Sequence, residues 1–318
     1  MVQEVRQETD PVRRPEHVRR AWSIRRLLVG AAMSVVVACG ANRRDFVDKR
    51  LDTLDLAYSQ RGDDKQLENA LRGYLQLNGR FPGDRRVLGR LARAYTVRAE
   101  LSAGDDALRD FATAREFGLE CLMQQGSFAG LVVANGGLVV PAAARELNEE
   151  DVGCLVWTVV AWSRWIHERG AAGVGLDHKV LISLASRAVE LDPRWGRGRV
   201  QYALGLAHAL PPDVLEPKLG KAKGAFEEAM AVAPDRLSVQ VDYAHLVLRR
   251  MGAVDEADAM LRKVSDVVVS DDEADRVENI AAIAEARKLL GLPPLVDVLE
   301  AEAAAAEESD APEPAAEQ

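Results

Sequence analysis

The stretch AKGAFEEAMAVAPD, residues 222–235, decides the fold class of this chain. Ala222 and Ala229 flank Phe226 at helical spacing, and Pro234-Asp235 ends the stretch. Small side chains let paired helices approach to about 8–10 Å, while an aromatic ring fills the space beside them. Proline removes a backbone donor and turns the chain before the next pair. The stretch therefore predicts one helix of a packed antiparallel pair.

The same spacing recurs elsewhere in the chain. The further copies are Ala70, Tyr74, Leu77 and Pro82; Ala107, Phe111 and Ala114, without the proline; and a looser set of Leu181, Ala185, Ala188 and Pro193. A new helical start follows three of the copies, at Leu91-Ala92, Leu204-Gly205 and Tyr243-Ala244. Internal repetition of this kind is typical of solenoids. We predict an all-α fold of tetratricopeptide-like stacked antiparallel helix pairs, an α-solenoid, over residues 45–291.

The composition agrees with this class and disfavours several partners. Of 318 residues, 48% are hydrophobic and only 5% aromatic, a mix that favours closely packed helices. The net charge of −9 disfavours phosphate backbones, so we expect no nucleic-acid partner. Residues 300–318 hold seven acids and no base, and we expect the acidic tail, residues 292–318, to be disordered.

The N-terminal residues have the layout of a secretory signal. Arginine pairs precede twelve uncharged residues, Leu27 to Ala38, which are too few to span a bilayer. Val37-Ala38-Cys39-Gly40 resembles a bacterial lipobox. We predict a lipoprotein signal peptide at 1–38, lipid attachment at Cys39, and a short linker at 39–44; a buried helix with an incidental cysteine is the alternative.

A lipid anchor would hold the domain at a membrane face without spanning it. Gly40 after the cysteine favours the outer membrane over the inner one. The remaining thiols, Cys121 and Cys154, are expected either to pair in an oxidising compartment or to stay free and buried, and spacing does not decide between these outcomes.

Two further features bear on structure and chemistry. Asn135-Gly136-Gly137 interrupts the repeats between apolar runs, which indicates helix, turn, helix, with a short strand pair as the alternative. For catalysis, His167-Glu168 lacks a second histidine at position 171, which is alanine, as a zinc helix would require. We find no catalytic constellation, metal site or cofactor motif, and predict that the protein is not an enzyme.

The most distinctive part of the chain is an aromatic helix. Trp157, Trp162 and Trp165 are three of its five tryptophans and lie within nine residues. At about 100° per residue they share one broad side of a helix. That side is either inter-repeat core or the wall of an apolar ligand pocket. These tryptophans, with Tyr202 and Tyr243, are the candidate pocket or interface residues.

These residues carry a family resemblance. Trp157, Ala161-Trp162 and Trp165-Ile166, followed by Arg187-Ala188 and Leu191-Asp192-Pro193, resemble the T-component family of tripartite ATP-independent periplasmic (TRAP) transporters. Leu204-Gly205, Phe226, Ala229 and Tyr243-Ala244 continue in the same order, so the resemblance covers most of 45–291. The sequence departs from the family at Asn135-Gly136-Gly137, where the resemblance implies an uninterrupted helix, and at the extended acidic tail.

The resemblance implies a lipid-anchored periplasmic protein that forms a ring-like homo-oligomer such as a trimer. It also implies docking of the transporter's extracytoplasmic solute-binding protein and passage of an apolar or amphipathic ligand. The alternative is a general tetratricopeptide lipoprotein that acts as a scaffold for envelope or outer-membrane assembly.

Overall fold

The computed structural model describes residues 43–169, 177–209, 219–270 and 275–294. The chain divides into two compact units, Met1–Thr53 and Leu54–Gln318. In the first unit, residues 43–53 are helical, and Lys49 forms an exposed ion pair with Asp45 at 2.9 Å. The second unit starts with a helical stretch at residues 54–59 (α1).

The described part of the second unit is built from helices. After α1 come α2 (Asp64–Arg80), α3 (Arg85–Glu100), α4 (Gly104–Leu122), α5 (Gly126–Ala134), α6 (Val152–Arg169), α7 (Asp177–Leu191), α8 (Arg199–Ala209), α9 (Leu219–Val232), α10 (Leu237–Asp242), α11 (Val254–Ser265) and α12 (Arg276–Leu289). Short 3₁₀ helices occupy Pro141–Glu146 and Glu149–Asp151, and a π-helical turn, Tyr243–Leu248, extends α10. No strand occurs in the described ranges, and the predicted all-α class is confirmed.

Polar residues begin several of these helices. The Asp63 side chain accepts a hydrogen bond from the Lys65 N–H at the start of α2, and Asp84 does the same for the Arg86 N–H at the start of α3. Asn148 and Asp151 form a reciprocal capping box before α6. These contacts satisfy backbone donors that the first helical turn leaves unpaired.

Helices that are neighbours in sequence pack on one another through most of the second unit. The pairs are α2 with α3, α3 with α4, α6 with α7, α7 with α8, α8 with α9, and α11 with α12. Helix α6 also packs on α4 and α8, and α12 reaches back to contact α3. A buried ion pair of 2.7 Å between Arg61 and Glu278 joins the residues after α1 to α12. The last described helix therefore packs near the first ones.

The repeated small and aromatic positions lie in the core, as the spacing predicts. Ala222, Phe226 and Ala229 are all at most 1% exposed. A Cβ built on Gly205 of α8 would lie 3.0 Å from the Phe226 ring, so glycine is needed for this approach of α8 and α9. The packing of helices in pairs is confirmed, while the tetratricopeptide assignment stays a prediction.

The interruption at 135–137 is a turn, but the element after it differs from the expected α-helix. Helix α5 ends at Ala134 with Asn135 as its C-cap, and Gly136 and Gly137 take φ values of +70° and +85°. Glycine adopts this left-handed region without the steric cost of a Cβ. The chain then runs non-helically to Pro141, which starts a 3₁₀ helix. The six residues that remain before Leu147 form short 3₁₀ turns because they are too few for a stable α-helix.

Cys121 and Cys154, for which the sequence did not decide between pairing and free thiols, are joined in a disulfide. Cys121 at the end of α4 and Cys154 at the start of α6 have Cα atoms 6.0 Å apart and are both buried. The bond links two helices that already pack closely through Gly118 and Thr158. A buried disulfide is consistent with folding in an oxidising compartment.

Several predictions fall outside the described residues. These are the signal peptide at 1–38, lipid attachment at Cys39, and the tail from residue 295 onward. Within the described ranges, no helix is both long enough and apolar enough to cross a bilayer.

Candidate functional site

The site is built around Arg164, the first charged residue of an otherwise apolar helix. From Val152 to Ser163, α6 carries no charge and is largely buried. The Arg164 guanidinium donates to the two carboxylate oxygens of Asp242 at 2.9 and 2.6 Å, and to the Tyr202 hydroxyl at 2.8 Å. Tyr202 in turn donates to Asp242 at 2.7 Å. One hydrogen-bonded network thus ties α6, α8 and α10 together.

Burial and charge pairing act in opposite directions on this network. Burial alone would lower the pKa of Arg164, but Asp242 and Tyr202 raise that pKa well above its usual value. Burial raises the pKa of the Tyr202 hydroxyl well above its usual value, and Asp242 adds to the effect against the opposing charge of Arg164. The arginine therefore stays charged and the phenol stays neutral at physiological pH.

Glu100, the last residue of α3, is a further titratable residue whose pKa responds to Arg164 and Asp242. Its carboxyl makes no hydrogen bond or ion pair with any residue in the described ranges. Burial raises the pKa of Glu100 to about 7; Arg164 and Arg199 oppose this rise, and Glu278 and Asp242 add to it. An acid with this pKa is close to half ionised at neutral pH.

Charges on several helices act on Glu100. The residue is half-buried at the end of α3, and its pKa responds to Arg164 of α6, Arg199 of α8, Asp242 of α10 and Glu278 of α12.

Trp157 and Arg199 are in contact. The Arg199 guanidinium carbon lies 5.1 Å from the centre of the Trp157 ring, within cation–π range. Arg199 donates from Nη2 to Asp275 at 2.7 Å, and its Nε and Nη1 make no hydrogen bond to described residues. We name the following group the internal charge cluster: Glu100, Trp157, Arg164, Arg199, Tyr202 and Asp242.

The predicted tryptophans do not all lie in this cluster. Trp162 is 7% exposed and packs in the main core, and Trp165 is partly buried against it. The Arg115 guanidinium carbon lies 5.6 Å from the Trp162 ring and 4.3 Å from the Trp165 ring. In the cation–π contacts of the described residues, Arg199 lies over Trp157, whereas Arg115 lies over Trp162 and Trp165. The aromatic helix therefore places one tryptophan beside Arg199 and two beside Arg115.

The two candidate tyrosines lie on either side of Phe226. The Tyr202 ring centre is 6.1 Å from that of Phe226, and the Tyr243 ring centre is 6.0 Å from it on the other side. The Tyr243 hydroxyl donates to Glu227 at 3.3 Å, away from the network around Asp242. Tyr202 therefore belongs to the internal charge cluster, while Tyr243 belongs to the packing around α9.

A similar network of tyrosine, aspartate and arginine occurs near the start of the second unit. The Tyr74 hydroxyl donates to Asp55 at 2.6 Å, and Arg90 donates to both oxygens of the same carboxylate at 2.7 to 2.9 Å. Burial raises the pKa of the Tyr74 hydroxyl, and the hydrogen bond to Asp55 raises it further. This network fastens α1 to α2 and α3.

Sequence reasoning did not single out Glu100, Arg164, Arg199 or Asp242. The one usable signal was Arg164, because an arginine that directly follows an uncharged and largely buried helical stretch needs a partner. The convergence of the other three depends on helix packing. In the described ranges, no group of three or more histidine, cysteine, aspartate or glutamate side chains is placed to hold a metal ion.

The internal charge cluster joins charged side chains of α6, α8 and α10 beside an indole ring. Helices packed in pairs define an all-α, solenoid-like protein. This is the class to which the fold and the site belong.

The comparison with protein families makes the assignment specific. Residues 100–292, more than half of the chain, match the family described as TRAP transporter T-component, and the chain belongs to this family. The family is a transport-associated, non-enzymatic component, and membership indicates a protein of the envelope and periplasm. A comparison with curated proteins gives no match.

Proposed function

We propose that this T-component is a lipid-anchored periplasmic protein that docks the extracytoplasmic solute-binding protein of its transporter. In this role it makes and breaks no covalent bond. It also passes an amphipathic ligand along its helical interior. The chain acts as a homo-oligomer, of which a trimer is the form to test first.

The internal charge cluster is the observation that carries the ligand part of this proposal. A solenoid that served only as a scaffold would gain nothing from an unpaired carboxyl in its interior, because burying such a group costs free energy. Glu100 is half-buried and makes no hydrogen bond to the described residues, and the charges of Arg164 and Arg199 act on its pKa. The Arg199 guanidinium lies over the Trp157 ring. Charged and aromatic side chains of this kind suit a ligand that has both apolar and polar parts.

The membrane anchor brings the partner close. Acylation at Cys39 would hold the domain at the membrane, where the effective concentration of a docked solute-binding protein rises without any new contact. Anchoring is tested by mass spectrometry of the protein from envelope fractions. An acylated Cys39 at the amino terminus is expected, and an unmodified terminus upstream of residue 39 would contradict the anchor.

Docking is tested with purified proteins. The Cys39→Ser chain, immobilised, is titrated with the solute-binding protein encoded beside the same transporter. We expect saturable binding that a solute-binding protein from an unrelated transport system does not reproduce. Equal binding of both, or of neither, would contradict the docking role and favour a general envelope scaffold. Size-exclusion chromatography with light scattering gives the oligomeric state in the same preparation.

A further inference from the structure

Residues 126–144 form a hairpin that carries no charge. No aspartate, glutamate, lysine, arginine or histidine occurs between Glu120 and Arg145, in a chain of which 29% of the residues are charged. The hairpin consists of α5, the turn that follows it, a non-helical return and the start of the 3₁₀ helix at Pro141. We name it the apolar hairpin. Most of its residues are exposed or half-buried, so core packing does not explain the absence of charge.

The base of the apolar hairpin is fixed in the core, and its tip is exposed. Phe128 is 0% and Val132 is 4% exposed, and both pack in the main hydrophobic core. Helix α5 also packs on the 3₁₀ helix that follows the hairpin turn. On either side of the turn, Val133 is 70% and Leu138 is 69% exposed. The fold therefore holds two large aliphatic side chains outward on a supported tip, residues 133–138.

The tip also satisfies its own hydrogen-bond donors. The four consecutive backbone N–H groups of residues 135–138 all donate to carbonyl oxygens within residues 131–135, at 2.9 to 3.3 Å. The side-chain amide of Asn135 donates to the Leu131 carbonyl at 2.7 Å. Water would satisfy such donors at an exposed turn, whereas in hydrocarbon each unsatisfied donor costs free energy. The tip is therefore exposed and yet has its backbone donors paired internally.

We propose that the tip of the apolar hairpin inserts into the surface of a lipid bilayer. Val133 and Leu138 enter the boundary between headgroups and acyl chains, and the uncharged remainder of the hairpin lies against the headgroups. The contact is interfacial, because residues 133–138 are far fewer than the about 20 residues that a spanning helix needs. It goes beyond the proposed docking and acylation, since it involves neither a solute-binding protein nor Cys39.

The size and the charge of the tip favour lipid over a protein partner. A stable contact between two proteins buries about 800 Å² on each, which is far more than a tip of six residues offers. Lipid accepts a small apolar tip but excludes charge from its interior, and the apolar hairpin meets that condition over its whole length. Val268 is more exposed, at 92%, but it lies between Asp266 and Asp271 in sequence and does not meet it.

The first experiment measures the environment of single side chains. The Cys39→Ser chain has no thiol outside the disulfide, so Val133→Cys or Leu138→Cys is labelled singly with a nitrobenzoxadiazole dye. The protein is held on phosphatidylcholine vesicles by an amino-terminal histidine tag and a nickel-chelating lipid, so acylation plays no part. We expect dye emission at both positions to shift to shorter wavelength and to be quenched by spin labels on the acyl chains.

The matched control is Val268→Cys, an exposed valine on the same tethered chain, whose dye should emit as it does without vesicles. Dyes at positions 133 and 138 that respond no more than the dye at position 268 would overturn the proposal. A shift that appears without vesicles and grows with protein concentration would assign the tip to a second copy of the chain, and would overturn it as well. Neither result bears on docking of a solute-binding protein.

The second experiment places a charge at the tip. In the labelled Val133→Cys chain, Leu138→Asp should abolish most of the emission shift and of the quenching, because a carboxylate is costly among acyl chains. Val268→Asp is the control and should leave both signals unchanged. Position 138 is exposed, so the circular dichroism spectrum should stay that of the parent chain. An emission shift of undiminished size in Leu138→Asp would overturn the insertion of the tip.

Discussion

Arg164 and Asp242 lie 78 positions apart in sequence, and the guanidinium donates to both oxygens of the carboxylate, at 2.9 and 2.6 Å. The Asp242 side chain is 7% exposed and that of Arg164 is 19% exposed. Within this network, Tyr202 is neutral, so each of the two charges has only the other as its oppositely charged hydrogen-bond partner. The ion pair therefore links α6 to α10, and this link depends on both residues.

Removal of one partner should be strongly destabilising. Asp242→Asn leaves the buried Arg164 uncompensated, and we expect the free energy of unfolding to fall by about 3–5 kcal/mol. Urea unfolding followed by circular dichroism measures this change. The control is Asp235→Asn, in an ion pair with Arg197 whose side chains are each 51% exposed, where we expect a loss below about 1 kcal/mol. Similar losses in both variants would contradict a special role for the buried pair.

The contact between α4 and α6 should be intolerant of a single methyl group. A Cβ at Gly118 would lie 2.3 Å from the Thr158 Oγ1 and 3.0 Å from its backbone Cα, so Gly118→Ala must push the helices apart. We expect a loss of about 1–3 kcal/mol from overpacking, measured by urea unfolding.

The matched control for this substitution is Gly224→Ala, which lies inside α9 with nothing within 4 Å of the added Cβ. Alanine is a better helix former than glycine, so this variant should gain up to about 1 kcal/mol. Stabilisation by Gly118→Ala would show that α4 and α6 are less closely packed than the structure indicates.

The disulfide should contribute measurably to stability. Cys121 and Cys154 are 33 positions apart, and closure of a loop of this length stabilises a protein by about 3–4 kcal/mol through the unfolded state. We expect the double variant Cys121→Ser, Cys154→Ser to unfold at lower urea by this amount. Reductant should lower the free energy of unfolding of the wild type toward that of the double variant, and should leave that of the double variant unchanged. A wild type whose stability does not respond to reductant would contradict the disulfide.

Glu100 should make stability depend on pH. Its pKa is about 7 in the folded protein against an ordinary value of 4.5, so between these pH values the folded state holds a proton that the unfolded state has lost. Stability conferred by this group is therefore present below pH 4.5 and is lost as pH rises toward 7.

Glu100→Gln removes this loss of stability. We expect the free energy of unfolding of the variant to equal that of the wild type near pH 4 and to exceed it by up to about 3 kcal/mol at pH 8, as measured by urea titrations at both pH values. Glu116→Gln, at an exposed position on α4, should leave the free energy of unfolding unchanged at both pH values. A Glu100→Gln variant that is less stable than the wild type at pH 8 would show that the ionised carboxyl has a stabilising partner.

Local features of the sequence were sufficient for the fold class. Ala222, Phe226 and Ala229 predicted a close helix pair because helical spacing places them on one face, and the same logic applied to Ala70 and Tyr74 in α2. The family could be recognised because the aromatic helix around Trp157 is distinctive. These inferences need only neighbours within a few turns.

The internal charge cluster required the tertiary structure. Glu100, Arg164, Arg199 and Asp242 come from four helices, and no local spacing relates them. The separation of Trp157 from the other two tryptophans likewise depends on which helices pack against each side of α6.

The sequence by itself therefore determined the secondary structure and the local packing pattern: helices paired through small and aromatic residues, one of which is rich in tryptophan. What only the tertiary structure decided is which charges meet inside, that Cys121 bonds to Cys154, and that Glu100 is left unpaired. The physical reason is that helical periodicity is set by residues three or four apart, whereas burial, charge pairing and disulfide geometry are set by side chains that become neighbours only when the helices pack.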